Sequence, residues 1–144
     1  MKRKLLTRSK KINFIPSYII QNNKGNLIKI LGKKNSLFKK FVECYISEIN
    51  PNKVKAWRYH KNLKQNIFLL NGRCKVVIFS NKKFKKFLLS EKKQGILNIP
   101  NKHWYGFKNL SKKKKVRILN ILEKKYQENE ILRKEQNSFD YKWN

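Results

Sequence analysis

Two segments of the chain carry the side chains that could do chemistry. The first, Lys55–Gly72, holds a guanidinium at Arg58 and an imidazole at His60, and the second, Gly95–Asn109, holds a phenol at Tyr105. Histidine is the side chain that changes its charge near neutral pH, so His60 is a candidate general base. A single histidine on a strand is, however, more often a hydrogen-bonded core residue than a catalyst. The residue types alone leave both interpretations open.

Arg58 and His60 are predicted to share one face of a strand. Successive side chains of a strand point to opposite sides, so residues two apart lie together. If Ala56 also points inward, this face lines the interior of the fold. A buried guanidinium needs an anionic partner, and the chain has only 8 acidic residues. That partner is either a ligand phosphate or carboxylate, or a glutamate of a neighbouring strand such as Glu43 or Glu48.

Short apolar runs separated by turn signals indicate an all-β fold. Phe41–Ile49 alternates with the period of two that a half-buried strand shows, and Cys44 and Ile46 lie on its apolar side. Asn71-Gly72 lies between two apolar runs and predicts a hairpin, because both turn positions favour positive φ. Further strands are predicted at Phe84–Leu89, Ile96–Ile99 and Val116–Leu122. Such spacing is typical of a sandwich or a barrel.

The two ends of the chain differ from this central region. Residues 1–23 are predicted to be an N-terminal arm or an edge strand, with a turn at Asn22–Asn26. Residues 123–136 are polar and predict a short surface helix or an extended tail. The residues that follow include three aromatics at every second position, which we expect to dock on the body: Phe139, Tyr141 and Trp143. A length of 144 residues fits a single domain, which we place at residues 24–143.

The strong positive charge has two explanations. The 37 basic residues against 8 acidic ones give a net charge of +29, but 31 of the 37 are Lys and 6 are Arg. Lysine codons are rich in A and T, so a genome drifting toward A/T produces this composition whatever the protein does. Nucleic-acid sites favour arginine for bidentate contacts. A basic nucleic-acid-binding β-barrel is therefore one functional alternative, and its sole support is the charge.

The sequence shows no sign of export or of membrane insertion. Cys44 and Cys74 lie in apolar runs without metal-ligand spacing and are expected to be buried, reduced thiols. No apolar stretch approaches the roughly 18 residues that a membrane span needs. The basic start is followed by Phe14–Ile20, which Pro16 and Ser17 interrupt. We therefore expect no export signal and a cytoplasmic protein.

Taken together, the two segments resemble a known family. Along the chain, a strand with an HxH-like cluster at His60 is followed by Gly72, then by Ile99-Pro100 and by Trp104–Phe107. The order of these features is similar to that in RmlC-like cupins. More narrowly, they resemble the nucleotide-sugar branch, the dTDP-4-dehydrorhamnose 3,5-epimerases and the dTDP-sugar 3,4-ketoisomerases (WxcM-like). Further agreement comes from Lys24–Leu27, Leu89-Ser90, Asn109–Ser111 and Phe139–Trp143. The resemblance implies a cupin, a double-stranded β-helix or jelly roll, over about residues 24–143.

The resemblance also implies that no metal is bound. The first metal motif of cupins falls on Arg58, His60, Gln65 and Gly72 here, and the histidine of the second motif falls on Tyr105. A transition-metal site built from imidazole and carboxylate needs about three converging ligands. Only His60 is such a ligand, and a guanidinium repels a cation. We therefore expect neither a metal nor another cofactor.

The epimerases and the ketoisomerases imply different catalytic residues. Epimerisation uses a histidine base where this chain has Arg58, which cannot deprotonate at ordinary pH. The tyrosine acid of the epimerases aligns near Asn120, and their supporting aspartate aligns near Gln136. The ketoisomerase segment matches more closely, because its second histidine and the lysine and glutamine that follow correspond to His60, Lys61 and Gln65. A keto shift between adjacent carbons passes through an enediol, so one base can carry the proton.

The resemblance thus implies an isomerase or epimerase acting on a dTDP-4-keto-6-deoxyhexose in surface polysaccharide biosynthesis. It implies His60 as the general base, with Tyr105 or Tyr59 donating to the enolate oxygen. Five residues are expected to bind the substrate, namely Arg58, Lys55, Lys75, Gln65 and Asn120. The three cations among them are expected to bind its pyrophosphate. The resemblance also implies a homodimer whose N-terminal strands pair or exchange, which gives residues 1–23 a role. The alternative is a cupin that binds a sugar nucleotide without turnover.

Overall fold

The computed structural model describes residues 12–32 and 40–144, and its regular structure is almost entirely β-strand. The strands of this part of the chain are β1 Asn13–Pro16, β2 Tyr18–Asn22, β3 Gly25–Lys29, β4 Glu43–Ile49, β5 Val54–His60, β6 Gln65–Asn71, β7 Arg73–Ser80, β8 Lys83–Ser90, β9 Gly95–Ile99, β10 Trp104–Asn109, β11 Val116–Leu122 and β12 Ile131–Arg133. Two 3₁₀ turns, Glu128–Glu130 and Gln136–Ser138, flank β12. No helix within these residues is long and apolar enough to span a membrane.

Two five-stranded antiparallel sheets face each other and enclose the core. The first sheet has the order β1-β9-β6-β11-β4, and the second has the order β12-β5-β10-β7-β8. From β4 onward the chain alternates between the sheets at every step except β7 to β8, which gives a jelly roll. Side chains at every second position meet in one apolar cluster between the sheets. Its buried members include Ile67, Leu69, Val76, Ile78, Leu97, Phe107 and Ile118.

The first described residues form an edge strand and a hairpin. Strand β1 pairs with β9 at the edge of the first sheet. Strands β2 and β3 pair with each other around the turn predicted at Asn22–Asn26, which is confirmed. Residues 1–11 of the predicted arm lie outside the described residues. The domain boundaries therefore stay a prediction.

The hairpin predicted at Asn71-Gly72 is wrong. Strand β6 ends at Asn71 and β7 begins at Arg73, yet these strands belong to different sheets. Gly72, with a φ of 81°, turns the chain from one sheet to the other. The observed hairpin joins β7 to β8 through Asn81 and Lys82, which both have positive φ. A local Asn-Gly signal specifies a sharp turn, but the packing of the apolar faces decides which strands pair.

The buried side of β4 is opposite to the predicted one. Tyr45 is half-buried and Ile49 is buried, whereas Cys44 and Ile46 on the other side are exposed. The prediction that Cys44 is a buried thiol is therefore wrong, while Cys74 is buried as predicted. Strand β4 lies at the edge of the first sheet, and the outer side of that sheet carries a second apolar surface. Because both faces of this sheet are apolar, alternation alone cannot tell which one meets the core.

The aromatic residues after Gln136–Ser138 dock on the outer side of the second sheet, as predicted. Trp143 is buried and its ring lies 5.1 Å from that of Trp57. Phe139 and Tyr141 pack in the same cluster. Gly106 of β10 is required at this contact, because a Cβ there would lie 2.9 Å from the Trp143 ring. The second sheet is thus covered by the chain's own last residues.

Residues 123–136 form an extended segment rather than a surface helix. Near its start the backbone N–H of Tyr126 donates to the carboxylate of Glu43 in β4, at 3.0 Å. Further on, β12 pairs with β5 and places Ile131 opposite His60. The segment therefore crosses from the first sheet to the second at one end of the sandwich, where it covers the end of β5.

Candidate active site

His60 is the centre of a buried polar cluster at this end of the sandwich, with only 2% of its surface exposed. Its Nδ1 lies 2.5 Å from Oε1 of Glu130, and its Nε2 lies 2.8 Å from the hydroxyl oxygen of Tyr105. Because a carboxylate only accepts hydrogen bonds, Nδ1–H of His60 donates to Glu130, and the Tyr105 hydroxyl then donates to Nε2. A carboxylate, an imidazole and a phenol thus form one hydrogen-bonded chain.

Three neighbouring elements of the second sheet build this chain. His60 ends β5, Tyr105 lies near the start of β10, and Glu130 ends the 3₁₀ turn before β12. Strand β5 pairs with both β10 and β12, so the three side chains meet across adjacent strands. The second oxygen of Glu130 accepts hydrogen bonds from the backbone N–H groups of Asn62 and Leu63, at 2.9 and 3.2 Å. These bonds hold the carboxylate in place against the imidazole.

Gln65 approaches His60 from the facing sheet. It is the first residue of β6, it is 1% exposed, and its Nε2 lies 3.3 Å from Nε2 of His60. Its carbonyl oxygen, Oε1, is buried and has no hydrogen-bond partner within the described residues. Tyr105 and Gln65 therefore both direct a donor at the one lone pair of the imidazole.

Burial sets the proton affinities of the cluster. The pKa of His60 is lowered from its ordinary value of 6.5, because loss of solvent outweighs the hydrogen bond and the charge of Glu130. The positive charge of Arg58 lowers the pKa of His60 further. Burial raises the pKa of Tyr105 far above its usual range. At neutral pH the cluster therefore pairs an uncharged imidazole, able to accept a proton, with an uncharged phenol, able to donate one.

The lowered pKa of His60 makes stability depend on pH. The unfolded chain binds this proton more tightly than the folded protein, so stability is full above pH 6.5 and is lost as the pH falls toward the lower pKa of the folded state. We expect the free energy of unfolding in urea to decrease as the pH falls below about 6.5. The decrease should be shallower in the His60→Gln variant, and equal slopes in both proteins would contradict the prediction.

A bulge places two cations of β5, the exposed Lys55 and the half-buried Arg58, on the same side of the second sheet. Across β10, Arg58 pairs with Tyr105 and Lys55 pairs with Phe107, so two residues of β5 lie opposite the single residue Gly106. Residues that face each other across a ladder share a side of the sheet. Arg58 and Lys55 therefore lie on the side of the core residues Tyr105 and Phe107.

The bulge was not predicted, and it corrects one expectation from the sequence. Arg58 does share the inner side with His60, as alternation predicts. Ala56, whose inward orientation was the condition for this face to line the interior, packs instead in the outer aromatic cluster beside Trp57. Regular alternation would have left Lys55 on the outer side, so the extra residue is what brings both cations together.

Arg58 has no anionic partner among residues 12–32 and 40–144. Its side chain is half-buried, and it makes no hydrogen bond or ion pair with the residues described, 12–32 and 40–144. The glutamates considered as partners are both engaged elsewhere. Glu48 pairs with Lys115 and Arg117 at 3.0 and 3.2 Å, and Glu43 binds the backbone of residue 126. The expectation of a neighbouring glutamate is therefore wrong, and the need for an anion stands.

Lys55 and Arg58 line an open pocket of about 430 Å³ between β5 and β12. The rest of its wall comes from Ala56 and Trp57 of β5, Arg133 of β12, and the two residues after β12, Lys134 and Glu135. Arg133 forms an ion pair with Glu128. The pocket carries more positive than negative side chains, and its volume lies in the range of small-molecule sites. It can accept an anionic ligand.

Three other predicted residues belong neither to this pocket nor to the cluster around His60. Tyr59 faces away from His60, and its ring packs 5.2 Å from that of Trp104. Lys75 lies on the outer side of the second sheet, where its ammonium donates to the carbonyl of residue 144 at 2.7 Å. Asn120 is buried in β11, and its amide donates to Ser47 at 3.1 Å. Asn120 thus faces the interior, whereas Tyr59 and Lys75 do not.

Glu130 is the functional residue that the sequence analysis missed. The resemblance places the supporting acid near Gln136. The side chain of Gln136 is exposed, and its backbone carbonyl accepts a hydrogen bond from Trp57 at 3.1 Å. A signal does exist, since Glu130 directly precedes Ile131 and Leu132 in an otherwise polar segment. Only the pairing of β12 with β5 shows which histidine this carboxylate reaches.

Comparison with known proteins decides the family. A family model described as FdtA: WxcM-like, C-terminal matches residues 9–143. The chain belongs to this family. A search of curated protein sequences gave no match.

Solved structures of sugar isomerases and epimerases share the fold. A dTDP sugar isomerase from Desulfovibrio desulfuricans superposes with a TM-score of 0.80 at 24% identity, covering 88% of this chain and 85% of that one. The sugar 3,4-ketoisomerase QdtA from Thermoanaerobacterium thermosaccharolyticum, in complex with TDP, gives 0.73 at 21%, covering 85% and 88%. A dTDP-4-dehydrorhamnose 3,5-epimerase from Bacillus anthracis, with TDP and PPi bound, gives 0.78 at 16%, covering 92% and 83%. The predicted RmlC-like cupin fold is confirmed.

Proposed function

We propose that this WxcM-like protein is an isomerase that moves the ketone of a dTDP-4-keto-6-deoxyhexose from C4 to C3. The observation that carries the proposal is the buried chain Glu130–His60–Tyr105 beside the guanidinium of Arg58, which forms no ion pair in the described part of the chain. An uncharged imidazole can remove a proton next to a ketone, and a phenol can donate to the oxygen that gains charge. Structural neighbours that are dTDP-sugar isomerases and epimerases, two of them with TDP bound, support this substrate class.

His60 and Tyr105 suffice for the proton transfers of a keto shift. Nε2 of His60 removes the hydrogen from C3, and the C4 oxygen takes a proton from Tyr105. The enediol that forms then returns its C3 hydroxyl proton to the Tyr105 oxygen, while C4 takes the proton held by His60. The ketone has moved by one carbon and both side chains are restored. Since the Tyr105 hydroxyl bonds Nε2 in the free protein, substrate must part these groups on binding.

Glu130 is a positioning residue in this reaction. By accepting the hydrogen bond of Nδ1–H, it keeps the lone pair of His60 on Nε2, which points toward Tyr105. Its negative charge also stabilises the imidazolium that exists after the first proton transfer. Two backbone N–H groups hold the carboxylate, so this orientation does not depend on substrate.

The diphosphate of the nucleotide sugar is assigned to the pocket of Lys55 and Arg58. Both cations lie on the inner side of β5, on the same strand as His60. The planar guanidinium of Arg58 suits two phosphate oxygens at once. Lys75 is left out of this assignment, because it lies on the outer side of the sheet.

The Arg58→Gln substitution is expected to weaken TDP binding. A charge-assisted hydrogen bond contributes about 1.5–3 kcal/mol, and about 1.4 kcal/mol is tenfold in affinity, so the dissociation constant should rise about 10- to 100-fold. Isothermal titration calorimetry measures the change. The matched control is Arg73→Gln, an exposed arginine outside the pocket, which should bind TDP like the wild type. Equal losses of TDP affinity in both variants would show that the effect comes from the net charge of the protein and not from the position of Arg58.

Solvent exchange tests the reaction itself. The protein is incubated in D₂O with TDP-4-keto-6-deoxyglucose, and the sugar is followed by proton NMR. Deuterium in the sugar together with a new 3-keto product supports the isomerase. Deuterium at C3 and C5 without a moved ketone indicates an epimerase of the related kind. If TDP binds but no exchange occurs, the proposed catalysis is wrong.

A second candidate is a binding module that has lost turnover. Two observations favour it: both ring nitrogens of His60 are already hydrogen-bonded, and the ring is almost fully buried. In addition, Arg58 stands where the epimerases carry their base. The exchange experiment separates the candidates, because a binding module takes up TDP and leaves every carbon-bound hydrogen of the sugar in place.

The proposal includes a second copy of this chain as partner and surface polysaccharide synthesis in the cytoplasm as context. Apolar side chains stay exposed on the outer side of β4 and on the β2–β3 hairpin, which favours burial against another molecule. They are Phe41, Val42, Ile46, Tyr18, Ile20 and Leu27. Sedimentation equilibrium tests the homodimer, and a monomer at micromolar concentration would contradict it.

A further inference from the structure

Gln65 is buried next to His60 with half of its carboxamide unused. The NH₂ group points at Nε2 of His60, and the carbonyl oxygen has no partner within residues 12–32 and 40–144. A buried carbonyl without a hydrogen-bond partner is energetically unfavourable. Within the described residues, the other hydrogen bonds of the His60 ring are to Glu130 and Tyr105. The orientation of the amide therefore suits one protonation state of the ring at the expense of its own oxygen.

The two protonation states of His60 need opposite ends of that amide. While Nε2 is unprotonated it accepts, so the NH₂ of Gln65 is the correct group beside it. Once Nε2 carries a proton it donates, and an NH₂ group beside it has no acceptor to offer. A half-turn about the last side-chain bond of Gln65 would bring Oε1 to Nε2 and give the buried oxygen its missing bond.

We propose that Gln65 is a positioning residue that follows the protonation of His60, donating to the bare Nε2 and turning over to accept from Nε2–H. The role in turnover rests on the proposed function, because a proton that waits on Nε2 between C3 and C4 needs an acceptor. Tyr105 cannot supply it at that moment, since its oxygen serves the substrate. Gln65 then holds the ring in place between the two proton transfers.

Charged and titratable groups of every neighbouring element act on the same ring. Glu130 precedes β12 and favours the protonated form, while Arg58 of β5 and Arg133 of β12 oppose it. Tyr105 of β10 bonds Nε2 directly. Among these groups, only the hydroxyl of Tyr105 can both donate to Nε2 and accept from it while staying neutral. Gln65 is thus the polar side chain left to serve both states during turnover.

Nuclear magnetic resonance reads this behaviour without any substrate. The chain has only two histidines, so ¹⁵N-histidine labelling gives a titration curve for His60 with His103 as the internal reference. Labelling of glutamine side chains follows the NH₂ group of Gln65 in the same samples. We expect the Gln65 amide signals to shift with the same midpoint as the His60 ring, and signals that stay constant through that midpoint would overturn the proposal.

The Gln65→Met variant gives a second result whose sign decides. If the amide turns over, its removal takes away the stronger, charge-assisted bond of the protonated ring, and the His60 midpoint falls by about 0.5 units or more. If Gln65 is a fixed donor, removal destabilises only the neutral ring and the midpoint rises. A rise or an unchanged midpoint overturns the proposal. The exposed residue Gln21 supplies the matched control, Gln21→Met, with no shift expected.

Kinetics separate this inference from the proposed function. With an active wild type, Gln65→Met should lower kcat about tenfold and leave KM nearly unchanged, because Gln65 acts through His60 rather than on substrate. Equal kcat in both proteins would overturn the role in turnover. If the wild type shows no turnover at all, the proposed function fails, while the NMR titrations still decide whether the amide follows the ring.

Discussion

The His60→Asn variant is expected to exchange deuterium into the keto sugar about 100- to 10,000-fold more slowly than the wild type, the range that a positioned general base contributes. An asparagine side chain cannot take up a proton at neutral pH, and no other imidazole lies in the cluster around Glu130 and Tyr105. Initial rates in D₂O, measured by proton NMR, give the ratio directly.

The second histidine of the chain supplies the control for this variant. His103 lies in the turn before β10, and its Nδ1 contacts the carbonyl of Asn101 at 2.9 Å. His103→Asn should retain the wild-type exchange rate. TDP affinity of the His60→Asn variant should stay within about threefold of the wild type, which shows an intact pocket. Exchange above about a tenth of the wild-type rate in His60→Asn would remove this residue from the mechanism.

The Trp143→Ala variant is expected to lose about 3–5 kcal/mol of unfolding free energy, the range for truncating a buried tryptophan. The Trp143 ring packs 5.1 Å from Trp57 and 4.9 Å from Tyr141, and it closes over Gly106. Its loss would open a cavity on the outer side of the second sheet. Urea denaturation followed by circular dichroism measures the change.

Two substitutions frame this stability prediction. Trp143→Phe keeps an aromatic ring and removes an indole N–H that is buried without a partner among the described residues, so the loss should stay below about 1.5 kcal/mol. Leu88→Ala truncates a side chain that is 64% exposed and should change stability by less than about 0.5 kcal/mol. A loss below about 1 kcal/mol in Trp143→Ala would contradict the packing.

The aromatic cluster also connects stability to the site. The backbones of Trp57 and Lys134 exchange two hydrogen bonds, at 2.9 and 3.1 Å, just beyond β12. This pairing continues the ladder that places Glu130 beside His60. We therefore expect variants that loosen the cluster to free the segment that carries the carboxylate.

Local patterns were sufficient for the strands and for the docking of the last aromatics. Strands at Phe84–Leu89, Ile96–Ile99 and Val116–Leu122 appear within one or two residues of their predicted bounds. The strands depend on residues close in sequence, since turn residues and period-two alternation are local properties. The net charge of +29, by contrast, decided nothing about the site.

Pairing between distant strands could not be predicted in the same way. The hairpin at Asn71-Gly72 and the buried side of Cys44 were wrong, because each depends on which sheet a strand joins and which face meets the core. A turn signal says that the chain reverses, not that its flanking strands bond to each other. A sheet with two apolar faces likewise gives alternation no direction.

By itself, the sequence determined an all-β cupin with His60, Arg58 and Gln65 on segments that meet and with Tyr105 nearby. Only the tertiary structure decided that Glu130 holds His60, that a bulge turns Lys55 inward beside Arg58, and that Tyr59 and Lys75 point away. The physical reason is sequence distance: residues 60 and 130 are joined by a strand ladder, whose register comes from the packing of the whole sheet.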